Sequence, residues 1–141
     1  MIYTPLTTEA MKIAYNAHHG QVDKSGIPYI FHPIHLAEQM TDEYTTCVAL
    51  LHDVVEDTDI TLEALAKTFP KEVVDAVALM THDDGTDYLQ YVARIRENPI
   101  ARAVKLADLT HNTDKTRLPE GDAAAMKRWE TKYSKALEIL K

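Results

Sequence analysis

A single cysteine, Cys47, serves the whole 141-residue chain, so no disulfide can form within it. That suits a reducing compartment, and the expected location is the cytoplasm. Glycine is also scarce, with four residues, while Ala, Leu, Val, Lys and Glu are plentiful. Such a composition favours helices. Also missing is any apolar run near the length of a membrane span, or the apolar segment of a signal peptide. Positive charge is in the minority: 15 Lys and Arg against 22 Asp and Glu leave a formal net charge of −7. A nucleic-acid or anionic-membrane surface needs a basic patch, so neither is expected as a partner. A small anionic substrate remains admissible if a metal ion or a few local Lys and Arg offset its charge. No repeat, low-complexity stretch or linker divides the chain, and its length fits one domain, residues 1–141, with a sizeable core.

What is present is helical periodicity, which predicts an all-α, compact fold of about seven to eight helices. The expected helices cover residues 8–18 with Thr7 as N-cap, a short stretch from about Pro33, and residues 42–55. Others follow Thr61 for about two turns, then span 70–79, 87–97, 100–113 and 122–140. Residues 20–31 read as a loop marked by Ser25-Gly26 and Pro28, and residues 118–121 as a break. Valines crowd residues 72–79, yet the spacing of Val73, Val74, Val77 and Met80 is helical rather than strand-like.

The stretch ALLHDVVEDTD, residues 49–59, places four polar side chains directly after an apolar run. On one continuous helix His52 lies at about 0°, Glu56 at about 40°, Asp53 at about 100° and Asp57 at about 140°. All four then share one side. An imidazole beside a carboxylate suits a transition metal such as Mn, Fe or Zn. Glu56 and Asp57 are placed to orient a water and exchange protons with it. Val48, Ala49, Leu50, Leu51, Val54 and Val55 surround the group, and a buried unpaired carboxylate is costly, so a cation is expected. A solvated turn carrying a chance His-Asp pair is the plain alternative. Two other segments offer ligands. YIFHPIHLA carries His32 and, one turn later, His35. VKLADLTHN carries Asp108, His111 and Asn112, with Asp108 and Asn112 on one helix face.

The series His32, His52-Asp53 and Asp108 resembles the H…HD…D signature of the HD-domain metal-dependent phosphohydrolases. More narrowly, AHHGQVDKSGIPYIFHP, ALLHDVVEDTDIT, FPKEVVDAVALMT and KLADLTHN resemble the hydrolase domain of RelA/SpoT-type proteins and the small alarmone hydrolases. The resemblance implies a helical domain holding one divalent cation, usually manganese, through His32, His52, Asp53 and Asp108. Glu56 and Asp57 match the pair that activates the attacking water. The implied reaction removes the 3′-pyrophosphate from guanosine tetra- or pentaphosphate. Lys24, Ser25 and Asn112 match nucleotide-contacting positions. One departure is Asp23, where the family loop usually has an arginine that stacks on the guanine. Another phosphorylated nucleotide or a nicotinamide phosphate is the alternative substrate, and a nucleotide-binding module without turnover is the alternative of a different class. A synthetase domain, found beside this one in long family members, is not expected.

The remaining features read more modestly. His18 ends the first helix, where an imidazole suits the dipole. His35 and His111 read as packing or supporting groups rather than ligands. Tyr29 borders the site or fills the core. Lys105 is expected to reach solvent. THDDGTD, residues 81–87, lacks the acid pattern of a calcium loop and reads as a polar turn. Met126, Trp129, Tyr133, Leu137 and Leu140 form a stripe that packs the last helix on the domain, a homodimer seam being the lesser reading.

Overall fold

The computed structural model describes residues 1–117 and 123–141. Its elements are α1 (Pro5–Ala17), α2 (Phe31–Glu38), α3 (Glu43–Leu51), α4 (Val54–Asp57) and α5 (Leu62–Ala66). They continue with α6 (Lys71–Met80), α7 (Tyr88–Arg96), α8 (Pro99–Asn112), a 3-10 turn at Lys115–Arg117, and α9 (Ala123–Leu140). The fold is all-α, as the periodicity predicts. The valine-rich segment is the helix α6. The expected break at 118–121 and the side chain of Met126 lie outside the described residues.

Local chemistry sets the helix starts. Thr4, not Thr7, caps α1: its hydroxyl accepts from Thr7 N at 3.1 Å, while Thr7 Oγ1 accepts from Thr4 N at 2.8 Å. Pro5 then fits the first turn, where no amide donor is needed, so the helix begins three residues earlier than expected. Asp42 caps α3 by accepting from Thr45 N at 2.8 Å. Asn98 caps α8 through Ile100 N and Ala101 N, both at 3.0 Å, with Pro99 as the first helical residue.

The centre of the molecule is α3. Every residue from Thr45 to Leu51 is buried, and α1, α2, α6 and α8 pack around it. Thr45 and Thr46 are admitted because both hydroxyls donate to Asp42 O, at 3.4 and 2.7 Å. In turn α8 lies against α2, α3, α6, α7 and α9. The α9 stripe is used inside the chain: Ala136 and Leu140 are buried, and Tyr133 stands 6.4 Å from the Tyr88 ring.

The one rearrangement concerns residues 42–55, expected as a single helix. The chain leaves helical geometry after His52, because Asp53 adopts φ −106°, ψ 0°, and a one-turn helix, α4, restarts at Val54. That bridge conformation is sparsely populated and recurs at functional sites. Here it sits between two residues of the HDVVED motif.

Because α3 carries the core, its cap should be felt globally. Asp42→Ala is expected to lower the unfolding free energy by about 1 kcal/mol, and Asp42→Asn by less, in urea titrations. Equal stability of all three proteins would contradict the assigned cap.

Candidate metal centre

Asp108 is the innermost charge, 5% exposed on the buried face of α8. Helix spacing brings two of its partners. Lys105, three residues back, places Nζ 2.9 Å from Oδ2, and Asn112, four residues on, donates to Oδ1 at 3.1 Å. From α2, His32 Nε2 lies 2.9 Å from the same Oδ1. From the end of α3, His52 Nε2 lies 3.6 Å away. Burial disfavours the charged carboxylate, but Lys105 and then the two imidazoles outweigh it and hold Asp108 well below the ordinary range. Lys105 was expected in solvent. Instead it is buried, because its position one turn before Asp108 lets the ammonium meet a charge that water cannot reach. Burial disfavours its charge too, yet Asp108 raises its pKa.

His52 and Asp53 complete the cluster. His52 Nδ1 donates to Ala49 O at 2.7 Å, which fixes the proton on that nitrogen. Its Nε2 is buried and makes no hydrogen bond, although Asp53 Oδ2 is 3.0 Å away. A buried imidazole nitrogen 3.0 Å and 3.6 Å from two carboxylates is a donor set that suits a divalent cation. The electrostatics agree. Burial alone would lower the pKa of His52, but Asp53 and Asp108 raise it well above its usual value. The potential that attracts a proton there would equally attract a metal ion. Ligand atoms of His32, His52 and Asp53 lie within 4.8 Å of one another, and those of Asp53, Glu56 and Asp57 do likewise. An ion bonded at about 2.0–2.2 Å spans its ligands by about 4.4 Å at most, so small rotamer changes would close either set.

The surrounding groups fix these side chains. The Tyr29 hydroxyl donates to Asp53 Oδ2. His52 and that hydroxyl together overcome the burial cost and keep the Asp53 carboxyl below its ordinary value. Tyr29 in turn packs on the buried His18 ring, at 4.9 Å, and His18 Nδ1 is paired with Gln21 Oε1 at 2.9 Å. On the other flank His32, His111 and His35 form a stack. His111 lies 5.0 Å from His32 and 4.1 Å from His35 between ring centroids. The Nδ1 atoms of His32 and His111 are 2.7 Å apart. Burial, with Arg117, His32 and His35, pushes His111 down to about 4, so its ring is neutral near pH 7.

Glu56 and Asp57 stand at the open side on α4. Glu56 Oε1 accepts the backbone N–H of His82 at 2.6 Å, so the turn after α6 holds it. Partial burial and the nearby Asp53 raise both carboxyls, against the pull of His82 N–H on Glu56 and of His18 on Asp57. The four motif residues thus converge, though not on one helical face. The break at Asp53 does it.

The α1–α2 loop forms the third wall. Asp23 Oδ1 accepts from Ser25 N at 2.8 Å and Ile27 N at 3.0 Å, and Gly26 takes φ +80°, which only glycine adopts cheaply. Ser25 Oγ donates to Arg117 O at 2.6 Å. Lys24 Nζ rests 4.5 Å over the Trp129 ring. Lys24, Ser25 and Asn112, with Tyr29, His32 and Trp129, line a cavity of about 240 Å³. A larger cavity of about 590 Å³ lies on the His35–His111 side. The polar turn at residues 81–87 behaves as expected, Asp87 capping α7 through Gln90 N at 3.3 Å.

A sequence profile of the HD domain matches residues 10–128. The chain belongs to the HD-domain family. Two curated relatives of this HD domain are the bifunctional (p)ppGpp synthase/hydrolase SpoT of Escherichia coli K12 and a GTP pyrophosphokinase of Myxococcus xanthus. The first is 34% identical over 119 residues, covering 74% of this chain and 17% of the relative. The second is 39% identical over 113 residues, covering 67% and 15%. The chain therefore spans less than a fifth of the length of these relatives. A solved structure of a metazoan ortholog of SpoT, described as hydrolysing ppGpp and acting in starvation responses, superimposes with a TM-score of 0.82. It is 25% identical, and the match covers all of this chain (100%) and 88% of that one. HD domains bind divalent metals, and the His/Asp cluster is a possible site for one.

Sequence reasoning left Tyr29 open, assigned no role to Arg117, and read Trp129 as part of the packing stripe of the last helix. Tyr29 follows Pro28 in a loop, and nothing local says that it reaches Asp53. Lys105 did carry a signal, its three-residue offset from Asp108 on a buried face. We expect Lys105→Met to cost about 3–5 kcal/mol of stability in chelator, because Asp108 loses its main counter-charge. Adding Asp108→Asn should recover much of that loss; additive losses would contradict the pairing.

Proposed function

We propose that this HD domain is a metal-dependent phosphohydrolase that removes the 3′-pyrophosphate from guanosine tetra- or pentaphosphate. The observation that carries this is a buried His/Asp cluster opening onto a paired Glu56–Asp57 and a lysine-bearing cavity. SpoT, the metazoan ortholog described as hydrolysing ppGpp, and a further relative from Vibrio cholerae named as a guanosine-3′,5′-bis(diphosphate) 3′-pyrophosphohydrolase, 46% identical over 69 residues, support the substrate.

In this reading His32, His52, Asp53 and Asp108 hold one divalent cation, and manganese is our assignment. When bound, it would supply Lewis-acid chemistry, acidifying water and drawing charge from the phosphoryl group. The unpartnered His52 Nε2 is the strongest sign that these residues fit such an ion. The protein does the rest. Glu56, held at one oxygen by His82 N–H, keeps the other to accept the water's proton. Asp57 returns a proton to the leaving side. Tyr29 and Ala49 hold Asp53 and His52 in place, so only small rotamer changes are needed to close the set. Lys24 and Asn112 face the cavity and meet the phosphates, which matters in a chain of net charge −7. The substrate is a small nucleotide rather than a nucleic acid, and the setting is the cytoplasm. Among the described residues no helix is long and apolar enough to cross a membrane. We assign the α9 stripe to packing within the chain rather than to a homodimer seam.

The test is pyrophosphate release from guanosine tetraphosphate by manganese-reconstituted protein. Asp53→Ala should lose metal and activity together. Glu56→Gln should keep the metal while kcat falls roughly 10²- to 10⁴-fold. Undiminished turnover in Glu56→Gln would remove its role as base. Stoichiometric metal in the native chain without release would favour another phosphorylated nucleotide, or a nicotinamide phosphate. Inertness toward these as well would favour a binding module.

A further inference from the structure

We propose that Trp129, from the far end of the chain, is the surface on which the substrate's base stacks, with Arg117 beside it as the phosphate-facing cation. The two then determine which nucleotides the site accepts. This rests on the nucleotide reading above.

Trp129 lines the same 240 Å³ cavity as His32, Tyr29, Asn112 and Lys24. A molecule filling that cavity meets His32 of the candidate metal centre and the indole alike. Trp129 is half-buried, with Tyr133 tilted against it at 5.3 Å. Among the described residues, Lys24 Nζ stands over the ring, at 4.5 Å. That face is already a cation–π surface, and it would accept a planar base as readily. Lys24 has a flexible stem and can swing from the ring to a phosphate when an anion enters.

Asp23 is not available for stacking. Its Oδ1 is taken by two loop amides, and its Oδ2 faces the Arg117 guanidinium at 3.8 Å. Arg117 is held from three sides. Beyond Asp23, its Nη1 donates to His111 O at 2.7 Å, and its own carbonyl accepts from Ser25 Oγ at 2.6 Å. Arg117 lines both the 240 Å³ and the 590 Å³ cavities, so a guanidinium stands at the junction between them. Asp23 therefore acts as the anchor of a cation brought from the 3-10 turn after α8. The loop's own acid and the distant Arg and Trp together make one aromatic, cationic wall.

Trp129 is the chain's one tryptophan, so its fluorescence reports this wall alone. Titration of the metal-loaded protein with GDP should quench it saturably, and ribose 5-phosphate at the same concentrations should not. Trp129→Ala should lower kcat/KM for guanosine tetraphosphate roughly tenfold to a hundredfold, mainly through KM. Trp129→Phe should restore most of it, with metal content unchanged throughout. Arg117→Gln should weaken GDP binding more than guanosine binding. Saturable quenching by GDP in a protein that does not hydrolyse guanosine tetraphosphate would support the stacking surface while overturning the substrate. Hydrolysis with unchanged KM in Trp129→Ala, or no quenching by GDP, ATP or NADP⁺, would overturn the stacking surface and leave the reaction standing.

Discussion

The architecture depends on a carboxylate that water hardly reaches. Asp108 sits inside a helix packed on five others, where an isolated charge would be prohibitive. It is tolerated because partners arrive from three directions: Lys105 and Asn112 from its own helix, His32 from α2 and His52 from the end of α3. Satisfying this one group ties together the helices that make the core. It also fixes the positions of the side chains that face the candidate cation. The stability of the core and the geometry of the site are thus the same problem, and a change at Asp108 or Lys105 disturbs both.

The carboxylates divide by environment. Asp108 and Asp53 are enclosed and held ionised by positive or hydrogen-bonding neighbours, as ligands to a cation must be. Glu56 and Asp57 stand at the open side, and their carboxyls are raised rather than lowered. Groups that exchange protons near neutrality need that opposite bias. The break in helical geometry falls at Asp53, after His52 has ended α3, and the helix restarts at Val54, so Glu56 and Asp57 stand on a separate turn.

How much of this was legible in sequence follows from the range of each interaction. The helices were readable, because period is local, and Thr61 caps the helix it precedes, while Asp42 and Asp87, read as first helical residues, are the caps of theirs. Thr7 misled because Thr4 and Thr7 share a capping box, and Pro5 decides which of them comes first. The HDVVED stretch marked the site, yet the wheel assumed a helix that stops at Leu51. His32, His52, Asp53 and Asp108 could be gathered by chemistry and by family resemblance. Partners from other elements could not. Tyr29 reaches Asp53 from a loop, Glu56 is held by a backbone amide 26 residues away, and Trp129 meets Lys24 across most of the chain. Such contacts depend on the packing of α4, α6 and α9 and leave no periodic trace.

We propose that the Asp108 cluster is built around one divalent cation. The most direct measurement is metal content per chain after dialysis against manganese, read together with thermal unfolding with and without chelator. One tightly held ion is expected, with a Tm that falls when it is removed, since the ion would bind only the folded cluster. A chain that retains no ion and melts at the same temperature in both conditions would mean that Lys105, His32 and His52 alone neutralise Asp108, and would contradict the account.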